Sequence, residues 1–201
     1  SKTLMQAECN GATNRALITP AYNIASTGLY LHNGLYPREP LYRMTAPAQA
    51  VAQNLADAGY DATPMASWPE PREWTAEIDQ ALLGLRRDLH HRFLLGGGAA
   101  RGVRIECAGA LAGYAYISAD GHVGPLAIAP DADAQAVMTT ALRCALESGP
   151  SKVSMIVPGR ADVVMQAVLA LGFRVEEPYV LMASWPFGNW CNYLPRTPGL
   201  M

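Results

Sequence analysis

Charged side chains are scarce in this chain of 201 residues: they make up 16% of it, and 15 Lys and Arg against 17 Asp and Glu leave a formal net charge of −2. So little cationic surface argues against a nucleic-acid footprint or a polybasic membrane patch and points to a small substrate or a limited polar surface. Long apolar runs are also missing. None approaches the roughly 20 residues that a membrane-spanning helix needs, and Ser1-Lys2-Thr3 does not have the layout of a signal peptide. A soluble, cytoplasmic protein is expected. Cysteine is limited to Cys9, Cys107, Cys144 and Cys191. These are far apart, form no CxxC pair and have no nearby His at ligand spacing, so neither a metal site nor a disulfide framework is expected. The chain opens at Ser inside a helical pattern, and a longer natural polypeptide is expected.

Half of the residues are hydrophobic, enough to pack a core in one or two domains. The feature that organises them is a repeat. Val153 to Met182 lies over Arg15 to Met44 without a gap, at an offset of 138 residues. Ile156 falls on Ile18, Pro158 on Pro20, Leu169 on Leu31, Gly172 on Gly34, Glu177 on Glu39, Pro178 on Pro40 and Met182 on Met44. Farther back, Gly149 falls on Gly11, Ala145 on Ala7 and Leu142 on Leu4. Glycine and proline are the residues that shared composition matches least easily, so one supersecondary unit used twice is inferred.

The first copy reads as helix, strand, helix, strand. Leu4, Met5 and Glu8 are spaced for a short helix stopped by Asn10-Gly11. Ala16 to Thr19 is a buried strand ending at Pro20, Ile24 to Leu31 is a helix closed by Asn33-Gly34, and Leu35 to Met44 is extended. Pro37 and Pro40 should hold that last strand off a central position. Residues 46 to 59 look like a linker helix, and Tyr60 to Ala66 like a strand. A helix from Trp74 with Ile78, Leu82 and Leu85 on one face follows, then a short one through Leu89, Phe93 and Leu94 into Gly96-Gly97-Gly98. Val103 to Cys107, Leu111 to Ser118 and His122 to Ala129 read as an antiparallel meander. Asp131 to Ser148 is a helix, after which the repeated unit begins. The aromatic tail from Trp185 to Pro195 should pack along its own domain or a partner.

This order of elements resembles the GNAT superfamily of N-acyltransferases, which transfer an acetyl group from acetyl-CoA to an amine. The resemblance is most specific at Asn23-x-x-Ser26-x-x-x-Tyr30-x-x-x-Gly34-Leu35. It implies an α+β fold: a mixed, mostly antiparallel sheet flanked by helices, with an N-terminal half-domain of the same kind. Residues 1–45 would be the second half of a first domain, 46–59 a linker helix, 60–184 a complete domain and 185–201 the tail. Asn23 and Ser26 would touch the cofactor, and Tyr30 would be the general acid. The three share one helical face, and a phenol stays protonated at neutral pH and can donate to a departing thiolate. The backbone near Ile128 and Ala129 would hold the thioester.

The second copy departs from that pattern. The family binds the CoA pyrophosphate in a glycine-rich loop at a helix N-terminus. Here the loop is Ala129-Pro130-Asp131-Ala132-Asp133-Ala134-Gln135, with no Gly, no Arg and two carboxylates suited to helix capping. The counterparts of Asn23, Ser26 and Tyr30 are Ala161, Val164 and Val168. The second domain is therefore expected to be degenerate. The resemblance implies direct transfer from acetyl-CoA to a small amine, and an unpaired half-domain makes self-association an expectation. The alternative is a non-catalytic GNAT-like binding or dimerisation module. Asp88, His90 and Arg92 resemble an acceptor-side turn in such domains, although a solvated helix face explains them as well. Glu106 is a further candidate base, and Tyr114 and Tyr116 either line a pocket or pack a helix.

Overall fold

The computed structural model describes residues 14–98 and 100–198. The helix expected through Leu4, Met5 and Glu8, and Cys9 with it, lie outside the described residues. In chain order the elements are β1 (Ala16–Pro20), α1 (Ile24–His32), β2 (Tyr36–Pro47), α2 (Ala48–Asn54), β3 (Asp61–Pro64), α3 (Arg72–Leu83) and α4 (Asp88–Gly96). Then come β4 (Arg101–Cys107), β5 (Ala110–Ile117), β6 (Val123–Ile128), α5 (Ala134–Leu146), β7 (Lys152–Pro158), α6 (Asp162–Ala170), β8 (Arg174–Ala183) and β9 (Tyr193–Leu194). The expected meander is present as β4-β5-β6, and every strand-to-strand ladder is antiparallel. This is the mixed α/β architecture expected from the sequence.

Two sheets are formed, ordered β1-β8-β2-β7 and β3-β4-β5-β6-β9. Apolar residues alternate between their faces, as a strand period of two requires. Val153, Met155 and Val157 join α2, α5 and α6 in one cluster, whereas Ile156 joins α3 and α4 in the other. A sheet buried on both sides needs apolar residues on both, which explains the near-continuous apolar runs of β6 and β7.

In the first sheet the two copies exchange strands. β1 and β2, from the first copy, are separated by β8 from the second, and β7 and β8 are separated by β2. The registers obey the offset. Ala16 opposite Ala183 has its counterpart in Thr45 opposite Ser154, Ile18 opposite Leu181 in Arg43 opposite Ile156, and Pro20 opposite Tyr179 in Leu41 opposite Pro158. Even the irregularities correspond: β2 skips Arg38 and β8 skips its counterpart, Glu176. Ile18 and Ile156 fall on the same face, as do Leu41 and Tyr179. The strands are thus related by a local two-fold axis normal to the sheet.

The helix ends repeat as well. Leu35 N–H bonds Tyr30 O and Gly34 N–H bonds Leu31 O, matched by Phe173 to Val168 and Gly172 to Leu169, all at 3.0 Å. This paired bonding closes a helix through a left-handed residue, and Gly34 (φ 73°) and Gly172 (φ 86°) supply it without a Cβ clash.

One strand is placed differently from expectation. β2 is central, between β8 and β7, despite Pro37 and Pro40. Pro37 opens the strand beside the bulge at Arg38. Pairing with β7 begins only at Leu41, so the N–H that Pro40 lacks falls past the end of that ladder, and its carbonyl accepts from Gly159 N–H at 2.8 Å. The linker helix is also shorter than expected and is not free. It spans Ala48–Asn54, with Ala48 and Val51 buried against the body.

Candidate functional site

β6 and β7 run side by side and meet in a single parallel bridge, His122 to Ser154. Beyond that bridge they no longer pair, and the gap is filled by the tail. Leu126 and Ala127 pair with Leu194 and Tyr193 of β9. Ile128 N–H donates to Asn192 O at 2.9 Å, and Asn192 Nδ2 donates back to Ile128 O at 3.4 Å. Ala129 N–H donates to Ala112 O at 2.8 Å. Both backbone donors named from the sequence are therefore engaged within the chain. Tyr193 and Leu194 are fully buried, one on each face, so the tail completes the layer rather than covering it.

The inner end of this strap is latched. His122 Nε2 lies 2.6 Å from Arg196 O and its Nδ1 2.9 Å from Ser154 Oγ. A carbonyl can only accept, so Nε2 carries the proton and Ser154 donates to Nδ1. Burial holds the His122 pKa down at about 4, which keeps the ring in this neutral form. The Arg196 guanidinium donates to Gly124 O at 2.8 Å and to Ser118 Oγ.

The loop after β6 is closed in a similar way. Asp133 Oδ1 accepts from Gln135 N–H at 2.9 Å and from Ala136 N–H at 3.1 Å, capping α5. Those are the amides that an anion at this helix start would need, and a carboxylate already holds them. The amides of Ile128, Ala129, Gln135 and Ala136 thus all have acceptors within the chain.

The first copy differs. Among the described residues β1 pairs only with β8 and no strand lies along its other edge. No residue of α1 is buried, and Ile24 is 85% exposed. Asn23 Oδ1 caps the helix by accepting from Ser26 N–H at 3.1 Å. That leaves the Asn23 Nδ2, the Ser26 hydroxyl and the Tyr30 hydroxyl without partners among the described residues. The structure does not bring them to Ile128 and Ala129, however. β1 is the edge strand of the first sheet, with β8 and β2 between it and β7, whereas Ile128 belongs to β6 of the second sheet.

A second polar cluster lies under α3 and α4. His91 Nε2 donates to Asp79 Oδ2 at 2.8 Å, and His91 Nδ1 lies 2.8 Å from the Tyr116 hydroxyl. The Tyr114 hydroxyl donates to Asp79 Oδ1, and Arg87 donates to the Tyr193 hydroxyl in the tail. All six side chains are buried, and burial beside the Asp79 carboxylate pushes the Tyr114 phenol well above its ordinary range. The cluster ties two helices, β5 and the tail together. The sequence had put Asp88, His90 and Arg92 at this turn. Asp88 instead pairs with Arg72 and Arg86, and His91 is the residue turned inward. Helical spacing carries the signal: Asp79 shares a stripe with Thr75 and Leu82, and His91 with Arg87 and Leu94. Glu106 pairs with Arg104 at 2.8 Å.

No protein-family model and no curated protein matches this sequence. Solved structures do match its fold. A protein from Pyrococcus horikoshii described as a putative acetyltransferase superposes with a TM-score of 0.71 at 15% identity, covering 100% of this chain and 64% of that one. A GCN5-related N-acetyltransferase from Sphaerobacter thermophilus gives 0.57 at 14% identity, covering 90% and 64%. A tandem GNAT protein from the clavulanic acid biosynthesis pathway gives 0.52 at 15% identity, covering 90% and 67%. The chain therefore spans less than two thirds of the length of the first two. At these identities the likeness establishes the GNAT fold.

Proposed function

We propose that this protein is an acetyl-CoA-dependent N-acyltransferase of tandem GNAT type, acting on a small amine, with its chemistry in the first copy. In this reading residues 1–45 belong to a first unit that holds the acyl donor. Residues 60–184 form a second unit that has become a scaffold and contributes β8 to the first. Acetyl-CoA supplies the activated acyl group. Asn23 Nδ2 and the Ser26 hydroxyl hold it at the start of α1, and the Tyr30 hydroxyl is the proton donor on that same helical face. The observation that carries this assignment is the asymmetry between the copies. In the second, Asn192 and Asp133 engage the backbone groups a CoA would need; in the first, the polar groups of α1 and the outer edge of β1 have no partner among the described residues.

Thermal melting with and without acetyl-CoA tests the reading. Ligand at about 100 times its dissociation constant adds roughly 2.7 kcal/mol of stability. Tyr30→Phe should keep that shift while lowering turnover. Absence of any shift at millimolar acetyl-CoA would reject the enzyme in favour of a non-catalytic GNAT-like module.

A further inference from the structure

A cavity of about 420 Å³ lies between the start of β2 and the tail turn, lined by Pro37, Arg38, Arg160, Pro186, Phe187 and Trp190 among others. Its size lies within the range of small-molecule sites. From these residues we propose that the cavity is a binding site for a small anion, a carboxylate or phosphate monoester carried on a flat apolar body.

The electrostatics come from a bulge. Skipping Arg38 in the β2–β8 register frees its side chain from the ladder. Two carbonyls then fix it: Nε donates to Ala183 O at 3.2 Å and Nη2 to Ser184 O at 2.8 Å, with the guanidinium 5.6 Å from the centre of the Tyr36 ring. No carboxylate pairs with Arg38 among the described residues. The neighbouring charges cancel: the buried Glu39 carboxylate accepts from Arg160 N–H at 3.0 Å and from Arg160 Nε at 2.6 Å. Among the described residues the Arg38 guanidinium is therefore fixed and uncompensated at the cavity, and its remaining N–H edge suits an anion with two oxygens.

The rest of the lining is largely apolar. Phe187 and Trp190 meet edge to face, centroids 5.4 Å apart at 83°, and Trp190 Nε1 donates to Phe187 O at 2.7 Å. Gly188 (φ 76°) lets the turn close, since a Cβ there would sit 3.1 Å from the indole and 3.2 Å from Leu83. Aromatic residues and a fixed cation lining one cavity suit a planar body with an anionic end. This site does not depend on the acyl-transfer reading, because none of its residues belongs to α1 or to the β6–β7 slot.

The test is titration of the full chain with benzoate, phenyl phosphate and benzyl alcohol, followed by NMR of the Trp190 indole N–H and the Arg38 Nε–H. Either anion should shift both resonances saturably and bind at least tenfold more tightly than benzyl alcohol. Tighter benzoate identifies a carboxylate site, and tighter phenyl phosphate a phosphate monoester site. Arg38→Gln, which keeps donors for the two carbonyls while removing the charge, should weaken anion binding at least tenfold with the melting temperature unchanged. Equal binding of benzyl alcohol, unchanged affinity in Arg38→Gln, or no saturable shift would overturn the proposal.

Discussion

Leu41 lies directly opposite Tyr179, its own counterpart at the 138-residue offset, so the local two-fold axis of the first sheet passes between them. Leu41 is fully buried and Tyr179 nearly so. At this point the two copies cannot be pulled apart without opening both, because each copy's second strand is also a neighbour of the other's first.

Leu41→Ala should therefore cost about 3 kcal/mol, the usual loss for a buried Leu with its cavity. Urea unfolding should still show one transition, since no subset of strands closes the sheet alone. A loss under about 1 kcal/mol, or two separated transitions, would contradict the interlocked sheet.

Acid should loosen the tail latch before it unfolds the carboxylate pairs. His122 titrates at about 4 when folded, below its ordinary value near 6.5, so the unfolded chain binds the extra proton between these pH values. Its stability contribution is complete above pH ~6.5 and is lost as pH falls toward 4, about 3 kcal/mol in all. Replacing His122 by Asn should flatten the stability profile across that window. An unchanged slope would show that His122 is not buried and neutral.

Removing one carboxylate should reveal the cluster beneath α3 and α4. Asp79→Ala leaves His91 and the Tyr114 hydroxyl without an acceptor in a dry site, at a cost of roughly 3–5 kcal/mol. Asp88→Ala, which breaks only exposed pairs with Arg72 and Arg86, should cost under about 1 kcal/mol in the same denaturation experiment. Equal effects would contradict the burial difference.

Hydrogen exchange should find the strap. The Ile128 amide, bonded to Asn192 O, is expected to exchange as slowly as core amides of β5, and a chain ending at Trp185 should lose that protection. Fast exchange at Ile128 in the intact protein would mean that the slot is open.

How far these features could be read in the sequence depended on whether their cause was local. The meander, the glycine-closed helices and the Asp133 cap arise from neighbouring residues, and they stand where pattern and turn chemistry put them. Asp79 and His91 lay on visible helical stripes, but which of His90 and His91 turned inward depended on Tyr116 and Asp79, distant in sequence. The exchange of strands had no local signature. Pro37 and Pro40 argued for an edge, and the ladder that tolerates them is set by where β7 ends. The tail's aromatic density announced burial, but its destination between β6 and β7 follows only from the gap those strands leave.

The central claim is that acyl-donor binding belongs to the first copy and not to the β6–β7 slot. Mapping amide shifts in a ¹⁵N-labelled sample titrated with acetyl-CoA measures this most directly. The account predicts saturable shifts along α1, at Asn23, Ser26 and Tyr30, with Ile128, Gln135 and Ala136 unmoved. Shifts centred on Ile128, Gln135 and Ala136, with α1 silent, would contradict it.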